Sequence, residues 1–100
     1  MVNVVVMSNI VDSFVTNEQG ERVFEKILQE ISHSGGVTVS MKNVEVMTSS
    51  FLNSALVPLT EQYSFDWFKE NVKIINAKSH IVKMIKSRIK FAYEDKVVNC

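Results

Sequence analysis

Three consecutive hydroxyl side chains, Thr48, Ser49 and Ser50, are the residues of this sequence best placed to do chemistry. They precede apolar residues at helical spacing, which predicts that they form the start of a helix. The first backbone N–H groups of a helix favour an anion, including a phosphate carried by one of these hydroxyls. The residues alone leave two interpretations open, a simple helix cap or a phosphorylation switch.

The elements that would position this cluster alternate between strands and helices. Strands are predicted over residues 2–7, 37–42 and 72–75, from β-branched runs and period-two alternation. Helices are predicted from a cap at Thr16 or Asn17 to about residue 34, from 48 through 59, and from 80 to about 94. The βαβαβα order predicts an α/β fold with helices packed on a mainly parallel sheet and right-handed crossovers.

Several finer features are predicted within this order. The first strand should be buried on both faces, and residues 44–47 should form a second short extended piece. Pro58 should kink the middle helix, and Ser64 should cap a further short turn of helix. Gly20 weakens the first helix. The preferred explanation is that the helix simply tolerates this glycine, and the alternative is that another backbone approaches it closely.

Length, net charge and cysteine content indicate the number of domains, the kind of partner and the compartment that we expect. One hundred residues with no linker predict a single domain over residues 1–100, with residues 96–100 frayed. The net charge of zero gives no global attraction to nucleic acid or to an anionic membrane. Cys100 is the single cysteine, and the apolar start of the chain is too short to span a bilayer, so we expect a cytoplasmic protein with no membrane partner. The oligomeric state stays open.

Charge is distributed unevenly between the two parts of the chain. Residues 1–68 carry three basic and eight acidic side chains, whereas residues 69–100 carry eight basic and three acidic ones. Lys83, Lys86 and Lys90 should share the basic face of the last helix. This face is either an ordinary solvated surface or the site of an accessory nucleic-acid or phosphate-binding function. No aromatic platform lies among the lysines, which argues against single-stranded nucleic acid.

The search for a catalytic or metal site is negative. His33 and His80 are far apart in sequence and lack the spacing of a metal site, and no nucleophile elbow or phosphate-binding glycine loop is present. We therefore expect no catalysis, no metal and no cofactor, and the contrary hypothesis is a small hydrolase or transferase whose residues form no recognisable motif.

Two segments carry a resemblance to a known family. They are VTVSMKNVEVMTSSFLNSALVPL, residues 37–59, and VKIINAKSHIVKMIKSRI, residues 72–89. Both are similar to STAS-like domains of unknown function, which are distant relatives of the anti-sigma factor antagonists. The resemblance covers roughly residues 20–92, and it implies one small STAS-like domain with a central sheet of three or four strands.

The resemblance also implies a partner and a switch. In the antagonists the matching turn is Asp-Ser-Ser-Gly, and its first serine is phosphorylated by a partner that is both serine kinase and anti-sigma factor. That serine corresponds to Ser49, followed by Ser50, whereas Thr48 and Phe51 replace the aspartate and the glycine. The implied partner is a GHKL-type ATPase or anti-sigma-like regulator, released by phosphate on Ser49. The implied contact surface comprises Thr48, Ser49, Ser50, Phe51 and Asn53.

The aromatic run after this region has two interpretations. Phe65, Trp67 and Phe68 either close the end of the sheet, which we prefer, or form a protein-docking patch.

Overall fold

The computed structural model describes the backbone of residues 4–98 and the side chains of residues 4–94. Three strands, β1 (Val4–Val6), β2 (Val37–Ser40) and β3 (Val72–Ile75), form one sheet in the order β1-β2-β3. Both neighbouring pairs are parallel, with Val5 opposite Val39 and Val39 opposite Ile74. The predicted α/β class with a parallel sheet is therefore confirmed.

Five α-helices lie among the described residues. They are α1 (Asn17–Ser34), α2 (Ser49–Ala55), α3 (Leu59–Gln62), α4 (Phe65–Asn71) and α5 (Ser79–Val98). A 3-10 turn, Met7–Asn9, follows β1. Two short helices, α2 and α3, thus replace the single helix predicted over residues 48–59, and α4 is the short helical turn predicted after Ser64. The βαβαβα order is not confirmed in that simple form.

Proline chemistry explains where the predicted middle helix breaks. Helix α2 ends with Leu56 as its C-cap, and Pro58 is the N-cap of α3. Because proline has no backbone N–H, it cannot continue the hydrogen-bond ladder of α2. The chain therefore turns at residues 56–58, and the serine predicted as a cap, Ser64, then starts α4 by accepting a hydrogen bond from the Trp67 N–H at 3.2 Å.

Helix α1 has the caps that the sequence predicts. The Thr16 hydroxyl accepts from the Gln19 N–H at 3.1 Å, and the Gln19 side chain accepts from the Thr16 N–H at 3.0 Å. At the other end Gly35 has a φ of 79°, the left-handed conformation that glycine adopts without strain.

One face of the sheet is buried and the other is largely open. Val5, Val39 and Val72 lie on the face covered by helices, where each is at most 6% exposed. Val4 and Ile75 lie on the opposite face and are 43% and 40% exposed. The prediction that the first strand is buried on both faces is therefore wrong. Its residues 2 and 3 lie outside the described part of the chain.

The core continues from the covered sheet face into the helices. It includes Val23, Ile27, Met41, Met47, Phe51, Leu52, Leu56, Leu59, Ile81 and Ile85. Met41 and Met47 fill the core, and Met84 packs against it while partly exposed.

Helix α5 extends further than predicted. Its backbone is helical to Val98, beyond the predicted end at about residue 94. The fraying expected for residues 96–100 stays a prediction. Residues 99 and 100 lie outside the described part. None of the described helices combines the length and the apolar character needed to cross a membrane.

Candidate functional site

The hydroxyl cluster follows a loop that leaves the carboxyl end of β2. Asn43 has a φ of 69° and turns the chain, after which Val44 and Met47 are buried. Residues 44–47 do not pair as a strand, so the predicted second extended piece is not part of the sheet. The buried side chains nevertheless anchor the loop, and this anchoring fixes where α2 begins.

A second set of contacts ties this loop to the start of α5. His80 Nε2 lies 2.9 Å from the Glu45 carbonyl oxygen, and Lys78 Nζ lies 2.7 Å from the Glu45 carboxylate. His80 thus has a structural contact here. Among the described residues no three metal-binding side chains come together.

Thr48 is the cap of α2 and also links it to the loop before α1. Its Oγ1 accepts from the Phe51 N–H at 3.2 Å and donates to the Val15 carbonyl oxygen at 2.7 Å. Its backbone N–H donates to the Phe14 carbonyl oxygen at 3.1 Å. The Thr48 hydroxyl is therefore engaged both as donor and as acceptor.

Ser49 and Ser50 are the first two residues of α2, and both are exposed. Neither hydroxyl hydrogen-bonds to a described residue. The first turn of α2 contains no acidic side chain. Because α2 has only seven residues, its dipole is smaller than that of the longer helix predicted from the sequence. The preference for an anion at this point is correspondingly weaker than expected.

Phe51 does not belong to the surface on which the two serines lie. Its side chain is 0% exposed and meets the Phe14 ring edge to face, with 5.6 Å between the ring centroids. This corrects the expectation that Phe51 contacts a partner. The burial arises because Phe51 falls on the side of α2 that faces the core, together with Leu52 and Ala55.

Asn53 is exposed and joins α2 to α5. Its Oδ1 accepts from Arg88 Nη2 at 2.8 Å. Arg88 Nε is buried and has no hydrogen-bond partner among the described residues. The contact brings together two regions that the sequence keeps 35 positions apart, and no local pattern predicts it.

Helices α1 and α2 pack most closely at Gly20. A Cβ at this position would lie 2.5 Å from the Phe51 carbonyl oxygen and 2.7 Å from the Ser54 Cβ. The preferred explanation, that the helix simply tolerates the glycine, is therefore wrong. The alternative, close approach of another backbone, is correct. The sequence feature that pointed to this close packing was a glycine within a helix whose other residues favour helix formation.

The two roles within the hydroxyl cluster can be separated by mutation. We expect Thr48→Val to lower the free energy of unfolding by about 1–2 kcal/mol, because it removes the cap and the bond to Val15 while keeping the shape. Urea denaturation measures the change. Ser49→Ala is the matched control and should stay within about 0.5 kcal/mol of wild type. Equal losses in both variants would contradict this division of roles.

The lysines of the last helix lie beside an apolar groove. Lys83, Lys86 and Lys90 are all exposed, as predicted. Lys86 and Lys90 border a groove of about 900 Å³ between α4, β3 and α5, whereas Lys83 does not line it. Tyr93 also lines the groove, and its hydroxyl donates to the Tyr63 carbonyl oxygen at 3.0 Å. Partial burial raises the pKa of the Tyr93 phenol.

The residues of the aromatic run lie in two different environments. Phe68 is 8% exposed and closes the core, and Trp67 stacks on Tyr63 with 3.8 Å between the ring centroids. Phe65 is 47% exposed and lies at the edge of the groove. The sequence points to these residues but not to the groove, because the groove forms only where α4 and α5 meet in the fold.

The sheet topology limits where a small molecule would bind. The strands follow one another in chain order, so the strand order does not reverse anywhere in the sheet. Open α/β sheets bind their ligands at such reversals, where neighbouring crossovers diverge and leave a crevice. The end of β2 leads through an anchored loop to the exposed serines Ser49 and Ser50.

Comparison with known proteins assigns the chain to a family. Residues 19–82 match the model of a family described as a STAS-like domain of unknown function. The match begins one residue before Gly20 and includes all of α2, α3, α4 and β3. No curated protein and no solved structure matches the chain. Because the match covers more than half of the sequence, the chain belongs to the family of STAS-like domains of unknown function.

Proposed function

We propose that this protein is a non-catalytic regulatory module whose partner binds at the start of α2 and is released by phosphorylation of Ser49. The observation that carries the proposal is the exposed Ser49 hydroxyl on a turn that is otherwise fixed. Thr48 holds the turn through its side-chain bonds, and buried Phe51 anchors it from below. A group added to Ser49 would therefore project into solvent without disturbing the core.

The partner class comes from the resemblance to anti-sigma factor antagonists. A GHKL-type ATPase with serine kinase activity would contact Ser49, Ser50 and Asn53, the exposed members of the predicted surface. Thr48 supports this surface through its hydrogen bonds, and Phe51 supports it from the core.

Phosphorylation would act through charge and size. A phosphoserine adds roughly −1.5 to −2 charges near neutral pH. A partner surface that fits a neutral hydroxyl would then have to desolvate this charge, which weakens the complex. The first turn of α2 has no acidic residue, so phosphate would replace a neutral surface with a strongly charged one.

A pull-down with phosphorylation-site variants tests the proposal. Wild type and Ser49→Ala should retain a GHKL-type ATPase from native lysate, whereas Ser49→Asp should retain at least about tenfold less. The intact mass of the wild-type protein should show a fraction carrying one phosphate, which Ser49→Ala abolishes. Ser32→Asp, which changes an exposed serine of α1, is the matched control and should behave as wild type.

Two results would contradict the proposal. One is equal retention of the ATPase by wild type and Ser49→Asp. The other is the absence of phosphate on Ser49 after incubation with the captured ATPase and ATP.

The alternative function, nucleic-acid or phosphate binding through Lys83, Lys86 and Lys90, has weaker structural support. Phosphate contacts commonly combine lysines with polar side chains and backbone N–H groups. Lys86 and Lys90 instead flank an apolar groove, and Lys83 lies outside it. Binding through these lysines to nucleic acid would weaken steeply with added salt, and this dependence separates it from docking of a partner on the uncharged side chains at the start of α2.

A further inference from the structure

We propose that the groove between α4, β3 and α5 is a second docking site, which binds an acidic amphipathic helix of a protein partner. This surface is separate from the start of α2. Arg88, which reaches Asn53, lies on the opposite side of α5 from Lys86 and Lys90, which border the groove. The inference therefore does not depend on phosphorylation of Ser49.

The floor of the groove is apolar and built on rigid elements. Ile85 and Ile89 come from α5 and Val72 from β3, and each is at most 6% exposed. Phe65 and Tyr93 form one end, with 5.2 Å between their ring centroids. Among the described residues the groove has a volume of about 900 Å³, within the range of pockets that bind ligands.

The borders of the groove are mainly basic. Lys69 of α4 lies on one side, and Lys86 and Lys90 of α5 lie on the other; Glu94 is the one acidic residue among the lining side chains. Lys86 makes no ion pair with a described residue. The Lys69–Asp66 and Lys90–Glu94 pairs are long, at 3.9 and 3.7 Å, and exposed. Such pairs contribute little, so a partner carboxylate can replace them.

These features define the shape and charge of the occupant. Ile85, Ile89 and Tyr93 follow one side of α5 at intervals of four, over about 12 Å of helix. A partner helix of two to three turns matches this length, with an apolar stripe on the floor and acidic residues toward the lysines. A second copy of this chain does not supply such a helix from its described part, because the apolar stripe of acidic α1 is buried against its own core.

Binding of designed peptides tests the inference. The probe is a fluorescently labelled helix of about 15 residues with leucines along one stripe and glutamates beside it. Fluorescence anisotropy should show saturable binding to the full chain with a dissociation constant of about 1–100 μM. A peptide with the same stripe and lysines in place of the glutamates should bind at least about tenfold more weakly.

Matched pairs of variants locate the site. Lys86→Glu should weaken binding of the acidic probe at least about tenfold, whereas Lys83→Glu, with the same charge change on the same helix face, should weaken it by less than about threefold. Phe65→Ala should also weaken binding about tenfold, and the exposed aromatic Phe91, outside the groove, provides the control Phe91→Ala. All of these positions are exposed, and urea denaturation checks that each variant is folded.

Several outcomes would overturn the inference. They include no saturable binding of the acidic probe, equal binding of both peptides, or equal effects within each matched pair. A dimer detected by sedimentation without peptide, and abolished by Phe65→Ala but not Phe91→Ala, would assign the groove to a second copy instead. Ser49→Asp should leave probe binding unchanged, so failure here and failure of the Ser49 switch are separate results.

Discussion

Phe51→Ala is expected to lower the free energy of unfolding by about 3–5 kcal/mol, the largest effect of any single change considered. The Phe51 ring is fully buried and meets Phe14 edge to face. Its loss removes apolar burial and leaves a cavity between α2 and the loop before α1, where Thr48 holds both segments in place. Urea denaturation followed by circular dichroism measures the loss.

The size of this effect decides how Phe51 should be interpreted. A domain of this length has a total stability of about 5–15 kcal/mol, so the variant would retain only a small margin. Phe91→Ala is the matched control, because Phe91 is 62% exposed, and it should change stability by less than about 1 kcal/mol. If Phe51→Ala were as stable as wild type, Phe51 would belong to an exposed surface after all.

Gly20→Ala should destabilise the protein by about 1–3 kcal/mol, although alanine is the better helix former. The added methyl group would lie 2.5 Å from the Phe51 carbonyl oxygen, and a backbone atom cannot move aside as a side chain can. Helices α1 and α2 would therefore have to separate. The gain of about 1 kcal/mol in helix propensity offsets only part of this cost. Thermal and urea denaturation measure the net change.

A control on the same helix separates packing from propensity. Glu21 is exposed and follows Gly20 directly, so Glu21→Ala changes propensity without adding bulk between the helices. It should alter the free energy of unfolding by less than about 0.5 kcal/mol. A Gly20→Ala variant more stable than wild type would show that the helix pair accepts the methyl group, and that tolerance was the correct explanation for this glycine.

Local chemistry made much of the fold predictable. The strand over residues 72–75, the glycine that ends α1 and the serine that caps α4 each depend on a few neighbouring residues. Pro58 likewise predicts an interruption wherever it lies in a helix, because its effect on the backbone is local. The α/β class follows from the alternation of these elements.

Contacts between distant segments were not predictable in the same way. Apolar spacing places Phe51 on a helix face but does not show that the face is fully covered. The presence of Gly20 within a helix has two explanations, a tolerated glycine or close backbone approach, and only the position of α2 distinguishes them. The Arg88–Asn53 bond and the groove beside α5 both depend on how α5 packs, which the sequence pattern of α5 alone does not determine.

Lys73 gives the open face of the sheet a built-in protection against aggregation. It lies on this face in one row with Val4 and Thr38, and its neighbour two residues on, Ile75, is 40% exposed. Stacking two such faces would require the Lys73 ammonium group to lose its water, which is costly without a partner charge. The edge strand β3 is also only four residues long, so it offers few backbone groups to another chain. One lysine and one short edge strand thus oppose, on this face, the stacking that a covering helix layer prevents in most parallel sheets.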